Sequence, residues 1–396
     1  MEQKHIAIFN IPAHGHINPT LALTKKLVER GYRVTYPVTD EFVAAIEETG
    51  AEPLQYRSTL NINPQTIREM MKNKEDMPQA PKMFMKEVEE VLPQLEELYQ
   101  HDRPDLIVYD FMAMTGKLIA EKLGVEAVRL CSTYAQNEHF QFKDLVERMQ
   151  IEKVGQQVSD LKNANFSTAR FEELFEPAKL NIVFMPRAFQ PYGDTFDERF
   201  RFVGPSLAER KFQNNNEQLV KDDGRPVMLI SLGTAFNAWS EFYSMCIDAF
   251  RDTKWQVIMS VGAAIDPESF EDIPDNFSIR QSVPQLEILK KAKLFITHGG
   301  MNSTMEALNE GVPLVVIPQM PEQEMTARRV EELGLGRHLQ PEATTVQRLQ
   351  EAVSQVDDNT ELLNRVKDMQ ENIKEAGGAE KAADEIEAFF KPITVN

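Results

Sequence analysis

Cysteine is scarce in this chain, because Cys131 and Cys246 are the only two among 396 residues. A disulfide framework is therefore excluded, and a reducing cytoplasm is the compartment that this usage favours. Basic residues are outnumbered, with 43 Lys and Arg against 62 Asp and Glu, and the net charge of -19 argues against nucleic acid as a partner. No apolar run is long enough to span a bilayer, and the first residues do not form a secretory signal. We therefore expect a cytoplasmic protein with no membrane partner and, by default, a monomer.

Several signatures of enzyme chemistry are also missing. Neither GxxxxGK[ST] nor a complete GxGxxG occurs, which argues against a nucleoside triphosphatase and a nicotinamide enzyme. No Gly-x-Ser-x-Gly is present to supply the serine nucleophile of a hydrolase. No Cys and His spacing is typical of a zinc site, so we expect no metal and no cofactor.

The chain does contain a repeated alternation of short apolar strands and amphipathic helices. Residues 5–11 predict a buried strand, residues 18–30 a helix, and residues 33–38 the next strand. The same alternation starts again at residue 227, after a polar stretch at 209–225 that predicts a linker. The pattern predicts an α/β protein built from two doubly wound parallel sheets.

Residues 278–323 hold the densest group of polar side chains beside glycine. His298 follows a predicted strand, Gly299-Gly300 allows close approach of a ligand, and Asn302-Ser303 is expected to cap the next helix. A helix N-terminus binds anions, so a diphosphate is the expected ligand. Glu306 lies about one turn further on, either as an exposed carboxylate or as an acceptor of hydrogen bonds from a ribose.

His16 and Asp110 are the candidate catalytic residues. His16 lies in the predicted loop at 12–16, after the first strand, and Asp110 ends a strand predicted at 106–109. Because parallel strands end at one edge of a sheet, the two side chains could meet. A carboxylate bonded to one ring nitrogen fixes the tautomer and leaves the other nitrogen as a base. The alternative is a histidine that bonds only to its own loop or to the following helix.

Five segments, in order along the chain, carry a resemblance that covers nearly its whole length: PAHGHINP, SLGT, VPQ, HGGMNSTMEAL and PQMPEQ. The set resembles the family-one, nucleotide-sugar-dependent glycosyltransferases, in particular their bacterial macrolide and flavonoid branch. The resemblance implies the GT-B fold, with two Rossmann-like domains facing across a cleft. It implies an acceptor domain at 1–208, a donor domain at 226–378, and a last helix within 379–396 that crosses back to the first domain.

The resemblance also implies a role for each matching residue. His16 would be the general base and Asp110 its orienting partner. Residues near the donor phosphates would be Ser231, Gly233, Thr234, His298, Gly300, Asn302 and Ser303. The remaining donor contacts would be Ser282, Val283 and Gln285 at the base and ribose, Glu306 at the ribose hydroxyls, and Glu322 and Gln323 at the sugar. Ser282 stands where many relatives have a stacking Trp, and Glu322 where plant members often have Asp.

The expected reaction is an inverting transfer of a sugar, glucose above all, from a UDP-sugar to a hydroxyl of a hydrophobic flavonoid, phenolic or macrolide-like acceptor. Two alternatives stay open: a UDP-sugar epimerase of the same build, and a non-catalytic nucleotide-sugar-binding protein. Methionines accumulate at residues 70–85 beside Phe84. They fill either an irregular core or the lining of an adaptable acceptor pocket.

Overall fold

The computed structural model describes residues 3–60, 80–141, 176–208, 219–234 and 237–390. The chain divides into two compact units. The first unit is Met1–Ala208 together with Ala376–Asn396, and the second is Glu209–Glu375. Each unit contains its own sheet, in which every pair of neighbouring strands is parallel.

The first sheet has seven strands in the order β3-β2-β1-β4-β5-β6-β7. The strands are β1 His5–Phe9, β2 Arg33–Val38, β3 Glu52–Gln55, β4 Leu106–Asp110, β5 Ala127–Cys131, β6 Asn181–Val183 and β7 Phe200–Phe202. The helices between them are α1 His14–Glu29, α2 Val43–Glu47, α3 Ala80–Tyr99 and α4 Met114–Leu123. The strand order reverses between β1 and β4, which is the position where open α/β sheets bind ligands.

Strand β1 lies at the centre of the first unit and is buried along its whole length. Ile6 and Ile8 belong to one apolar cluster, while Ala7 and Phe9 belong to another. Successive side chains of a strand point to opposite faces, so a continuous apolar run fills the core on both sides of the sheet.

The second sheet has six strands in the order β10-β9-β8-β11-β12-β13. The strands are β8 Val227–Ser231, β9 Gln256–Ser260, β10 Phe277–Arg280, β11 Ala292–Thr297, β12 Leu314–Val316 and β13 Gly336–His338. The helices are α5 Ser240–Phe250, α6 Gln285–Leu289, α7 Met301–Asn309, α8 Pro321–Glu332, α9 Val346–Asp357 and α10 Thr360–Ala376. Here the strand order reverses between β8 and β11.

The last helix, α11 Gly378–Phe390, belongs to the first unit and packs on α1. Its fully buried residues Ala382, Ala383 and Ile386 join the apolar cluster beneath α1. Arg30 at the end of α1 forms ion pairs with Glu380 and, at 2.9 Å, with Asp384.

Two expectations about local structure were wrong. Helix α1 begins at His14 and not at Asn18, because the amides of His16 and Ile17 already bond the carbonyl of Ala13. Pro19 lies inside this helix, where it has no N–H to donate to the helix backbone. The first strand, predicted over residues 5–11, ends at Phe9, the last residue that pairs with β4.

Other expectations fall on residues that the structure does not describe. Most of the methionine-rich segment 70–85 lies outside the described residues, as does 209–218 of the expected linker. Among the helices of the described ranges, none combines the length and the apolar character that crossing a membrane requires.

Candidate active site

His16, Asp110 and Ser132 meet at the carboxyl edge of the first sheet. Asp110 is the last residue of β4, Ser132 follows β5, and His16 lies in the first turn of α1, which follows β1. The His16 side chain is 22% exposed, whereas that of Asp110 is completely buried. The buried carboxylate is thus presented to a histidine that still reaches solvent.

Each Asp110 oxygen accepts a hydrogen bond from a different partner. Oδ1 lies 2.9 Å from His16 Nδ1 and also accepts from the backbone N–H of Met112 at 2.9 Å. Oδ2 accepts from the Ser132 hydroxyl at 2.8 Å, and the Ser132 oxygen lies 3.1 Å from His16 Nδ1. Because a carboxylate only accepts, His16 carries its proton on Nδ1 and its lone pair on Nε2.

Helix α1 is fixed by a polar network beneath His16. The Asn10 amide donates to the His16 carbonyl at 3.1 Å and to the Tyr36 hydroxyl at 2.8 Å. Tyr36 in turn bonds Thr20 at 2.7 Å. These buried contacts set the position from which the imidazole reaches Asp110.

In the second unit, His298 follows β11 and lies against the backbone of two glycines. A Cβ on Gly233 would be 2.5 Å from the ring carbon Cε1, and a Cβ on Gly300 would be 2.5 Å from Nε2. Gly233 also has φ +78°, a conformation that favours glycine. The glycines therefore make room for the imidazole.

Burial lowers the pKa of His298 to about 4, although a hydrogen bond to the backbone of Ser231 opposes the shift. His298 is therefore neutral at pH 7. A neutral imidazole has one N–H, which the bond to the Ser231 backbone uses, so His298 brings no positive charge to the site.

Gln285, Ser303 and Glu306 form a second polar group in this unit. The Gln285 amide donates to Glu306 Oε2 at 2.7 Å and to the Ser303 hydroxyl at 3.1 Å. Glu306 is only 1% exposed, so the alternative of a solvated surface carboxylate is wrong. The Gln285 amide thus fixes one oxygen of this buried carboxylate.

The expectation that Asn302-Ser303 caps helix α7 was wrong. The residue at the cap is Gly300, which has extended backbone and makes no side-chain cap, while Asn302 and Ser303 are inside the first turn. Gly300 is preferred here because any Cβ would collide with His298. The N–H groups at the start of α7 remain the predicted anion site.

The remaining predicted donor residues differ in exposure. Thr234 and Ser282 are exposed, Val283 is buried, and Glu322 is partly buried at the start of α8. Gln323 is buried and its Oε1 accepts from the backbone N–H of Gln319 at 2.8 Å. Ser231 is buried at the end of β8, and its hydroxyl accepts from the Gly233 N–H at 3.3 Å.

Three polar residues have clear structural roles that were not predicted from the sequence. They are Asn10 and Ser132 in the first unit and Asn237 in the second, whose amide donates to the Gly233 carbonyl at 2.7 Å. The positions of Asn10 and Ser132 directly after strands were the available signal.

A pocket opens in the first unit beside the Asp110 turn. Its walls are mainly apolar, with Tyr56, Leu60, Val91 and Met112 among them. Within the described ranges, no three His, Cys, Asp or Glu residues are grouped closely enough to hold a metal ion.

Comparisons with known proteins give relatives along the whole chain. Residues 244–388 match the family described as Erythromycin biosynthesis protein CIII-like, C-terminal domain. The chain is 75% identical to the NDP-glycosyltransferase YjiC of Bacillus licheniformis, with both proteins covered completely. It is 30% identical to the oleandomycin glycosyltransferase of Streptomyces antibioticus, over 97% of this chain and 90% of the relative.

A solved structure gives the same result for the fold. The calicheamicin glycosyltransferase CalG4 matches with a TM-score of 0.87 at 35% identity, and the match covers both chains completely. The expected fold class is confirmed, since each of the two units is an α/β layer around a parallel sheet. The chain therefore belongs to the family of GT-B, nucleotide-sugar-dependent glycosyltransferases that contains these proteins.

Proposed function

We propose that this protein transfers glucose from UDP-glucose to a hydroxyl group of a hydrophobic small molecule, with inversion at the anomeric carbon. The observation that carries the proposal is the hydrogen bond of 2.9 Å between His16 and the buried Asp110. The relatives named above supply the reaction class, and the apolar pocket in the first unit supports a hydrophobic acceptor.

In the proposed reaction, His16 is the general base. Its Nε2 takes the proton of the acceptor hydroxyl while that oxygen attacks the anomeric carbon of the donor. The bond from this carbon to the UDP oxygen breaks, and UDP leaves with the electron pair. Attack opposite the leaving group converts an α-linked donor into a β-glycoside. Asp110 accepts from Nδ1 and stabilises the imidazolium that forms.

The second unit is proposed to bind the donor. N–H groups at the start of α7 are proposed to face the charge that develops on the diphosphate. Neutral His298 donates its one N–H to the backbone of Ser231 and holds the neighbouring turn in place. The pair Gln285 and Glu306 is proposed to hold the ribose hydroxyls, and Glu322 with Gln323 the sugar. UDP is a good leaving group, so the reaction needs no second carboxylic acid, unlike glycoside hydrolysis.

Replacement of His16 tests the proposal. His16→Ala should lower the rate of transfer to an aliphatic alcohol by about 10²- to 10⁴-fold, the usual range for a general base. An alcohol is preferred to a phenol because an acidic phenol would hide part of the loss. Product should be measured by mass spectrometry with UDP-glucose and dTDP-glucose in parallel, and the anomeric configuration by NMR.

His14→Ala is the matched control. His14 lies in the same turn of α1, is 41% exposed on its side chain and pairs with Glu41 at 3.2 Å, away from Asp110. This variant should keep most of the activity, and both variants should bind UDP with the affinity of the parent. Undiminished transfer by His16→Ala, an α-glycoside as product, or conversion of UDP-glucose without any acceptor would contradict the proposed reaction.

A further inference from the structure

The first turn of α8 carries Glu322 and Gln323, the pair proposed to hold the donor sugar. This turn lies against the chain just before α7, since a Cβ on Gly299 would be 3.4 Å from the Gln323 carbonyl oxygen. Gly299 has φ +82° and precedes the N-terminus of α7, where the diphosphate is proposed to bind. A displacement of the first turn of α8 would therefore move the sugar-binding side chains relative to the phosphates.

Helix α8 begins without a side-chain cap. Met320 occupies the cap position and makes no capping hydrogen bond with its side chain, and Pro321 is the first helical residue. Further along, Ala327 and Val330 are completely buried and anchor the middle of the helix. Helix ends fray more readily than helix interiors, so the position of the first turn depends on contacts of its own side chains.

Two polar side chains of the first turn make such contacts. Gln323 Oε1 accepts from the backbone N–H of Gln319 at 2.8 Å, but Gln319 belongs to the loop that leads into the same helix. Glu324 reaches another element, because its Oε2 lies 3.2 Å from Nε2 of His338, the last residue of the edge strand β13. Its Oε1 accepts from the side-chain amide of Gln340 at 3.2 Å. Glu324 thus connects the first turn of α8 to the end of β13.

The Glu324 carboxylate is ionised in this position. Burial raises its pKa, but the hydrogen bond from Arg328, the charge of protonated His338 and the hydrogen bond from Gln340 outweigh burial and leave the pKa below its ordinary value. Because an ionised carboxylate only accepts, His338 presents a hydrogen on Nε2 to it. The Gln340 amide, which also lies 3.2 Å from this nitrogen, gives its hydrogen to Glu324.

The two charged partners of Glu324 differ in what they can hold in place. Arg328 Nε donates to Oε1 at 2.8 Å, but this residue lies one turn further along α8 and its side chain is 67% exposed. The His338 side chain is only 9% exposed and belongs to β13. The pair of Glu324 with His338 is therefore the contact that fixes the first turn of α8 against the sheet.

We propose that His338 is a positioning residue for the donor sugar, acting through Glu324 on the first turn of α8. This inference rests on the proposed function and names a residue that controls how its sugar is held. The base, ribose and diphosphate are proposed to contact α6, α7 and the turn before α7, whereas the sugar is proposed to contact α8. Loss of the pair should therefore weaken binding of the sugar and leave binding of the nucleotide unchanged.

The affinities for UDP-glucose and for UDP, measured by calorimetry without an acceptor, test the inference. In His338→Ala, UDP-glucose should bind about three- to tenfold more weakly, as loss of one hydrogen bond to a charged group allows. UDP should bind this variant as it binds the parent. In turnover, KM for UDP-glucose should rise while kcat changes little, because the lost contact concerns binding of the donor. General damage to the second unit would instead weaken both ligands together.

Matched variants assign the effect to the contact between Glu324 and His338. Arg328→Ala removes the partner within α8 and should keep the parent ratio of the two affinities. His338→Gln should recover most of the affinity for UDP-glucose, since a glutamine amide can donate from nearly the position of Nε2. A parent ratio in His338→Ala, or an equal loss in Arg328→Ala, overturns the inference.

Glu324→Ala removes the same contact from its other side. It should show the same sugar-specific loss, and its combination with His338→Ala should add no further loss, because the two residues act as one pair. This variant decides the matter where His338→Ala does not fold. An additive loss in the double variant would mean that the residues act independently and would overturn the inference.

Gln323→Ala separates the inference from the function on which it rests. A sugar-specific loss in Gln323→Ala but not in His338→Ala would contradict the role of His338 and leave the sugar site standing. No such loss in either variant would contradict both. A sugar-specific loss in His338→Ala, with no glycoside formed by the parent from a panel of hydroxylated acceptors, would support the role of His338 and contradict the transfer reaction.

Discussion

Ser132 and His16 both hydrogen-bond the Asp110 carboxylate, and this arrangement determines which hydrogen bonds each residue can donate and accept. The Ser132 hydroxyl donates to Asp110 Oδ2, so its oxygen can only accept from His16 Nδ1. The Nδ1–H is therefore directed between Asp110 and Ser132, and the ring cannot turn without losing both contacts. Ser132 is therefore a positioning residue, which helps to hold the His16 imidazole in place through Asp110.

Ser132→Ala should lower kcat/KM about tenfold, since a hydrogen bond to a charged group contributes about 1.5–3 kcal/mol and part of that loss is recovered by relaxation. The Asp110 carboxylate, with one donor fewer, should hold a proton on His16 more strongly. We therefore expect the acid limb of the profile of kcat/KM against pH to move to higher pH, as measured from pH 5 to 9.

Ser132→Thr is the control, because it keeps the hydroxyl at the same position in the chain. It should restore both the rate and the pH profile. An unchanged profile in Ser132→Ala, whatever the rate, would mean that Ser132 only fills space.

Site residues with distinctive chemistry could be predicted from the sequence, whereas site residues with common hydrogen-bonding groups could not. His16 and Asp110 were placed together because both follow parallel strands, and the structure brings them to 2.9 Å. Asn10 and Ser132 also follow strands, but amides and hydroxyls are frequent at such ends as local hydrogen-bonding groups. Only the three-dimensional network distinguishes them.

Turns at the ends of β8 and β11 are built around the imidazole of His298. The ring lies between Gly233 and Gly300, and a Cβ on either residue would overlap it. The sequence suggested that these glycines serve the approach of a ligand. The structure adds a second reason for glycine at these positions, since the His298 ring packs directly against both backbones.

Gly233→Ala should therefore destabilise the protein more than the same substitution at a glycine that has the same backbone conformation but no neighbouring atoms around its Cβ position. Gly224 is that comparison, because both residues have φ +78° and nothing lies within 4 Å of a Cβ on Gly224. Each substitution carries the cost of the left-handed conformation, about 1–2 kcal/mol. Gly233→Ala adds overlap with His298, about 1–3 kcal/mol.

The two alanine variants are compared by urea unfolding and by calorimetric binding of UDP. Gly233→Ala should lose more stability and bind UDP more weakly, whereas Gly224→Ala should bind UDP normally. Addition of His298→Ala to Gly233→Ala should recover part of the lost stability. Equal losses for the two single variants would exclude the overlap as their cause.

Element boundaries were predictable where burial imposes a pattern and less so at sheet edges. Strand β2, buried after its first residue, has the predicted bounds 33–38, and the fully buried β8 begins at residue 227 as predicted. Strand β3, with the sequence EPLQ, is partly exposed and has no buried residue, so no apolar run marks it. The start of α1 was missed because Asn-Pro is typical of a helix start, while the backbone bonds to Ala13 begin the helix a turn earlier.

At the scale of the whole molecule, the chain ends in the unit where it began. The second unit ends at Glu375, and α11 returns to pack on α1. The Gly378 N–H donates to the Val203 carbonyl at 2.6 Å, and Gly378 has φ +59°. The glycines at 377 and 378 allow the chain to change direction between the two helices.

Packing of α11 should stabilise the first unit mainly through apolar burial. Its ion pairs with Arg30 are largely exposed on the acidic side, and such pairs contribute about 0–1 kcal/mol each. Ile386 is fully buried in the cluster beneath α1. Ile386→Ala should therefore cost about 2–5 kcal/mol by loss of burial and by the cavity left behind.

Leu363→Ala is the matched control, since this residue is 39% exposed on a helix of the second unit and its loss should change stability by less than about 0.5 kcal/mol. Amide hydrogen exchange followed by mass spectrometry locates the effect. In Ile386→Ala, peptides from α1, β1 and β2 should exchange faster, while peptides from β8 and β11 keep the parent rate. Faster exchange in both units to the same extent would mean that they unfold as one cooperative body, and the return of α11 would then stabilise the whole chain rather than the first unit.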